Sequence, residues 1–297
     1  MTKLLVTGAA GFIAPHIIEE ALERNWEVLG IDKVEVPKKD RFKKAEYLLK
    51  DVRELDKETL SSIDYIAHLA FITNIPNSIA KPVETTYDNI DMTTILLNKA
   101  KETEIKKVIF SSTASLYGNN PIPWKEGMQA DPIEPYSWQK LSCELLFKMW
   151  NIRYGLATST VRLYQVYGEN QRHDTALSKF IKSKKENIPI TLTETTAQSS
   201  FRTARRDFIY VKDVARAFLE TMISKKTGHG EIINIGTGIM TTMEEIANAI
   251  GGQITFIPRR SFEVEAHQAD MSECYRLIDW KHKTEVISWL KNFCKDL

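Results

Sequence analysis

The chain has no apolar run near the ~18 residues that a membrane-spanning helix needs. No segment reads as a secretory leader either, because the opening stretch MTKLLVTGAAGF passes directly into a strand pattern. Cysteine is scarce: Cys143, Cys274 and Cys294 are odd in number and far apart, which argues against a disulfide framework. They offer no metal-ligand spacing, and neither do His16, His68, His173, His229, His267 and His282, so no metal site is expected. Reduced thiols and a missing leader point to a cytoplasmic protein. An excess of one charge is also absent: 40 Lys and Arg stand against 39 Asp and Glu, a net charge of +1. Neither nucleic acid nor an acidic membrane is therefore expected as the main partner. No repeat and no low-complexity linker interrupts the chain. What remains is 297 residues, 43% hydrophobic and 27% charged, an ordinary globular composition with room for one large domain or two smaller ones.

Short apolar runs alternate with amphipathic stretches. KLLVTG (3–8) reads as a buried parallel strand, and the stretch after it puts Ile13, Ile17, Ile18, Ala21 and Leu22 on one helical face. Pro15 is tolerable there only in the first turn. Further strands are expected over 27–32, 45–52, 63–70 and 107–113, with a helix over 85–103. A long helix over 137–155 ends at Gly155, and one strand is expected over 157–168. Beyond it, GENQRHDTA and TETTAQSSFRTARR are polar loops. DFIYVKDVARAF restarts a strand and a helix, 231–236 is a strand, and a helix near 284–295 closes the chain. Strands alternating with helices imply a doubly wound parallel sheet of Rossmann type. The expected division is a dinucleotide-binding domain over 1–170, with 205–238 partly returning to it, and a smaller interleaved lobe over 171–297.

TGAAGFIA places Gly8 and Gly11 between a strand and a helix, with Ala14 in the third small position. Glycine permits the tight turn and a close backbone approach to a pyrophosphate, which the helix N–H groups then face. Asp32 ends the next strand. A carboxylate there accepts hydrogen bonds from ribose hydroxyls and repels a 2′-phosphate, so NAD is expected rather than NADP.

YSWQK holds a second signal, Tyr136 four residues before Lys140. With ten tyrosines in the chain, chance can supply such a pair. In this context the chain resembles the extended short-chain dehydrogenase/reductase family, specifically its nucleotide-sugar epimerases and dehydratases. TGAAGFI, KDVRE, HLA, FSSTASLYG, PYSWQK, VRLYQVYG, RRDFIYVKDVARAF and INIGTG all have counterparts there, in the same order.

The resemblance implies a nucleotide-sugar substrate, NAD held by Gly8, Gly11, Phe12, Ile13 and Asp32, and a homodimer through the helices near 85–103 and 137–153. It puts Asp51 and Val52 against the adenine, with Leu69 and Ala70 along the cofactor. Thr113, Tyr136 and Lys140 fall on the catalytic positions, and Tyr136 and Lys140 also on the cofactor. Thr113, Tyr136, Gln165, Arg206 and Arg260 fall on the substrate side, the two arginines where relatives hold the diphosphate. His68 is expected to be structural or cofactor-adjacent. Met92, where many relatives carry glycine, is expected in packing at a helix–helix dimer contact, and Trp138 in surface buried at that contact or near the site.

The chemistry can be argued from the residues. A phenol with an ordinary pKa near ~10 becomes a base at neutral pH only if cations lower it by ~3 units. Lys140, one turn away, and an oxidised nicotinamide are two such cations. The phenolate then takes a hydroxyl proton while the carbon yields a hydride, with Thr113 holding the hydroxyl in line.

Thr113 is followed by Ala114 and Ser115 where dehydratases of the family carry an acidic pair. That favours epimerisation at C4 over loss of water. A keto-sugar reductase or dehydrogenase, a dehydratase, and a non-catalytic NAD-binding protein remain as alternatives. Departures from the family gather late in the chain. Gln165 replaces the usual asparagine, and the segments over 191–205 and 259–268 lack the usual glycines. They leave sugar and nucleotide open.

Overall fold

The structure, a computed structural model, describes residues 1–38, 41–196, 198–259 and 264–295. Arg260 lies outside the described residues.

The first apolar run forms β1 (Lys3–Thr7), and its turn leads into α1 (Ala14–Glu23). Pro15 sits in the first turn of α1, where its missing N–H removes no hydrogen bond. Then come β2 (Glu27–Asp32), β3 (Glu46–Leu49), α2 (Lys57–Ser61), β4 (Tyr65–His68), α3 (Ile75–Ala80) and α4 (Pro82–Ala100). β5 (Lys107–Thr113), α5 (Pro135–Tyr154) and β6 (Thr158–Leu163) complete the regular alternation. The remainder is β7 (Gln165–Tyr167), α6 (Ala176–Lys185), β8 (Ile190–Thr193), β9 (Arg205–Tyr210), α7 (Val211–Ile223), β10 (His229–Ile235), β11 (Met240–Thr242), α8 (Met243–Ile250), β12 (Ile254–Ile257), α9 (Ser272–Leu277) and α10 (Val286–Phe293).

Seven strands pair in the order β10-β6-β5-β4-β1-β2-β3, every pair parallel. Such a sheet must be covered on both faces. Ile17 and Ile18 of α1 pack in one cluster with Phe218 and Leu219 of α7. Leu96 and Leu97 of α4 pack in another with Cys143 and Phe147 of α5. The strand order reverses between β1 and β4. At such a switch point the loops leaving the carboxyl ends part and a crevice opens.

The single strand expected over 157–168 is two. After Leu163 the main sheet ends with Tyr164 N donating to Ile235 O at 3.2 Å. β7 then leaves the sheet and pairs with β9, which pairs in turn with β11. The expected pattern contains neither α6 nor β8. Thr175 caps α6, Leu177, Phe180 and Ile181 form its buried stripe, and β8 pairs in parallel with β12. With α8 and α10 these elements enclose a third apolar cluster.

Candidate active site

One cleft of about 1150 Å³ runs along the carboxyl ends of the strands at the switch point. That exceeds the ~300–1,000 Å³ usual for one small ligand. Gly8, Gly11, Phe12, Ile13, Asp32, Asp51, Val52, Leu69, Ala70, Thr113, Tyr136, Lys140 and Gln165 all line it.

The loop after β1 is shaped for an anion. Gly8 has φ +74°, and a Cβ there would lie 2.7 Å from Ala70 N, so no larger residue fits. A Cβ on Gly11 would meet only Gly8 O within 4 Å, so that backbone faces the open cleft. No side chain caps α1 and its first turn carries no acid. The positive end of the helix is therefore left to a ligand. Asp32 braces the loop by accepting from Ala10 N and Val34 N, both at 3.0 Å.

The far walls are fixed by polar side chains. Thr7 Oγ1 accepts from Leu69 N at 3.2 Å and Ala70 N at 3.1 Å. Having accepted twice, its hydroxyl donates to His68 Nδ1 at 2.8 Å, which leaves the imidazole proton on Nε2 facing Thr93 Oγ1 at 3.2 Å. Burial holds the His68 pKa down to about 3, so the ring is neutral and structural. Asp51 accepts from Arg53 N, Nε and Nη2 at 2.9–3.0 Å, and that guanidinium holds its carboxyl below the usual range.

α5 begins at Glu134, whose carboxylate caps Ser137 N. Tyr136, Lys140, Cys143 and Phe147 then fall on one helical face, turned to β5 and α4. Tyr136 and Thr113 both line the cleft. Thr113 Oγ1 also lies 2.8 Å from Ser115 Oγ and accepts from Ser115 N. Lys140 is 2% exposed and donates to Ser111 O at 2.6 Å. Glu144, one turn further, makes a buried ion pair with Arg162, Nη2 to Oε2 at 2.7 Å.

Burial pushes the Tyr136 phenol up to about 12, and the Thr113 hydroxyl and the charge of Arg172 oppose it by less. The Lys140 ammonium donates to Ser111 O, 6.0 Å from the Tyr136 ring centre, and burial lowers its own pKa to about 7. Protein groups alone therefore keep the phenol protonated at neutral pH.

Arg206 does not line the cleft: the pairing of β9 with β11 holds its backbone, and Nη1 donates to Arg205 O at 2.8 Å and Glu265 O at 3.2 Å. Met92 lines the cleft and also packs against the apolar cluster of α4 and α5, and Trp138 is 50% exposed in this chain. Sequence reasoning also missed Phe71, Asn89, Gln139 and Arg172. Arg172 donates to Thr73 Oγ1 at 2.6 Å and bridges two sides of the cleft. Only Asn89 and Gln139 carried a usable signal, as polar residues on the inner faces of helices.

A family model described as the NAD dependent epimerase/dehydratase family matches residues 4–236. The chain belongs to that family. Among similar members is the UDP-glucuronate 4-epimerase of Thermodesulfobacterium geofontis, 30% identical over 98% of this chain and 94% of the relative. The fold matches a UDP-N-acetylglucosamine 4-epimerase from Methanobrevibacter ruminantium in complex with UDP-N-acetylmuramic acid. That match has TM-score 0.89, 28% identity and coverage of 99% and 97% of the two chains. It also matches a UDP-glucuronic acid 4-epimerase from Bacillus cereus in complex with UDP-glucuronic acid and NAD, with TM-score 0.87, 27% identity and 99% of each chain covered. Within the NAD dependent epimerase/dehydratase family, the open Gly11 backbone, the uncapped α1 and the braced Asp32 fit a dinucleotide. Among the described residues no helix is long and apolar enough to cross a membrane, and no acidic, histidine or cysteine cluster could hold a metal.

Proposed function

We propose that this chain is an NAD-dependent nucleotide-sugar 4-epimerase, with a UDP-sugar as substrate. The observation that carries the reading is the meeting of Thr113, Tyr136 and Lys140 with the Gly8–Gly11 loop and Asp32 in one cleft. Relatives named as UDP-sugar 4-epimerases support the substrate class and the reaction.

In this reading Gly8, Gly11, Phe12 and Ile13 face the pyrophosphate and Asp32 the adenosine ribose. Asp51 and Val52 border the adenine, while Leu69 and Ala70 run along the dinucleotide. NAD, when bound, supplies a hydride acceptor and the positive ring that favours a phenolate. Tyr136 Oη takes the proton of the C4 hydroxyl as the C4 hydride leaves, and gives a proton back when the hydride returns to the other face. Thr113, in the same cleft as Tyr136, holds the hydroxyl in line, and Gln165 faces the sugar. Ala114 is buried and Ser115 is spent on Thr113, so neither supplies the acid that loss of water needs.

The reading includes a homodimer. α5 leaves Leu145 and Ile152 exposed at 61% and 72%, and α4 leaves Val83 and Tyr87 exposed at 83% and 68%, an apolar surface a second copy would cover. The division into a dinucleotide-binding part over 1–170, rejoined by 205–238, and a substrate lobe over 171–297 belongs to the same proposal.

Incubation with UDP-, GDP-, dTDP- and CDP-sugars tests the function. The expected result is a C4 epimer from at least one of them without net absorbance change at 340 nm. Stoichiometric NADH formation or consumption would identify a dehydrogenase or reductase instead, and no product from any sugar would overturn the reading.

A further inference from the structure

Lys140 is set among aromatic rings. The Phe71 ring centre lies 3.6 Å from its Nζ and that of Phe110 lies 4.7 Å away. Phe110 is a fully buried residue of β5. Phe71 differs: it follows β4, lines the cleft, and also packs edge-on against Tyr136 with centroids 6.1 Å apart at 79°. One side chain thus touches both members of the Tyr136–Lys140 pair.

The position of Phe71 is fixed from α4, which is tied in turn to the helix that carries the pair. Asn89 Oδ1 accepts from Ile72 N at 2.7 Å and Asn89 Nδ2 donates to Ile72 O at 3.3 Å. The same Nδ2 donates to Gln139 Oε1 at 2.8 Å, next to Lys140. Gln139 Nε2 then donates to Thr85 Oγ1 at 3.0 Å and Thr86 Oγ1 at 2.9 Å. The circuit runs from Gln139 through Asn89 and the Ile72 backbone to Phe71, and closes on Lys140 and Tyr136.

We propose that Phe71 is a positioning residue for the reaction, its ring face holding the Lys140 ammonium charged and in place while its edge fixes Tyr136. This rests on the epimerase reading of the same pair. A cation over an aromatic face is stabilised by the ring quadrupole, most strongly where both are desolvated. Lys140 needs such support because burial opposes its charge. The ionisable groups that face it are few. Cys143 and Glu144 on α5 favour the cation, His68 on β4 is neutral, and Tyr136 stands one turn away. Removing the ring face while keeping the bulk should therefore lower the Lys140 pKa and loosen its aim.

The test is the Lys140 titration in the NAD-loaded protein, followed by NMR of lysine labelled at Cε and assigned with Lys140→Arg. Phe71→Leu should lower that pKa by about 1 unit, and Phe71→Tyr should leave it within ~0.3 of the parent protein. The alkaline limb of kcat should move the same way in Phe71→Leu, with KM for the sugar changed less than ~2-fold, as for a group that acts on the chemical step. Should Phe71→Leu not fold, Phe71→Met supplies the same comparison. An unchanged titration together with an unchanged kcat limb overturns the proposal. If the parent protein turns over no nucleotide-sugar, the functional reading fails, and the titration still decides the role of Phe71.

Discussion

The Asn89 amide donates to Gln139 Oε1 at 2.8 Å between two fully buried side chains, joining α4 to the helix that presents Lys140 one residue further on. Both amides are used on both ends, toward the Ile72 backbone and toward Thr85 and Thr86. Gln139→Leu keeps the volume but strips partners from buried groups, each worth ~1–3 kcal/mol when left unmade. The expected loss is about 2–3 kcal/mol in urea unfolding. A loss under ~0.5 kcal/mol would show that the network carries no stability.

Beneath the site, Glu144 and Arg162 pair with side chains 2% and 3% exposed. Glu144 Oε1 also accepts from Ser112 and from Arg162 Nε. Glu144→Ala leaves a guanidinium buried without its counter-charge, and breaking such pairs typically costs about 3–5 kcal/mol. Equilibrium unfolding should show that loss, with no folded protein at 37 °C as its extreme. A change within ~1 kcal/mol would mean that Arg162 finds other partners.

Burial also makes stability depend on pH. His68 is held down to about 3, and His16 and His267 are lowered as well, all three by burial first. A lowered histidine pKa means that the unfolded chain takes up the proton first. The stabilisation is complete above the unfolded value of ~6.5 and is lost as pH falls below it, by ~1.4 kcal/mol per pH unit for each proton. Between pH 6.5 and 5, His68→Gln should flatten the slope of unfolding free energy against pH by about one proton. Equal slopes in the two proteins would contradict the burial account of His68.

The apolar surface of α4 and α5 gives an assembly prediction. The protein should sediment as a dimer, and Leu145→Asp combined with Ile152→Asp should yield a folded monomer by circular dichroism and sedimentation. A parent protein that is already monomeric at micromolar concentration would remove the homodimer from the proposal.

What could be read from sequence divides by distance along the chain. The Gly8–Gly11 turn, Asp32, and the Tyr136–Lys140 spacing are local patterns, and each lies in the cleft. The break at Tyr164 was hidden because no proline or glycine marks it before Gly168, and the strand ends there where Tyr164 N donates to the Ile235 carbonyl. α6 was legible in principle, since Leu177, Phe180 and Ile181 repeat at helical spacing behind Thr175. Arg206 shows the opposite limit. Its motif matched, but the β9–β11 pairing and the Glu265 carbonyl decide where its guanidinium goes. Phe71 was invisible because its importance comes from a residue nearly seventy positions away, Lys140.

The central claim is that a hydride leaves C4 and returns to the same carbon within one cleft, with Tyr136 handling the proton. A UDP-sugar carrying deuterium at C4 tests it directly, with the product followed by NMR. The expected product is the C4 epimer with deuterium still at C4, formed without net NADH and abolished in Tyr136→Phe while NAD still binds. An epimer that has lost its deuterium to solvent, or that forms as fast in Tyr136→Phe, would contradict the account.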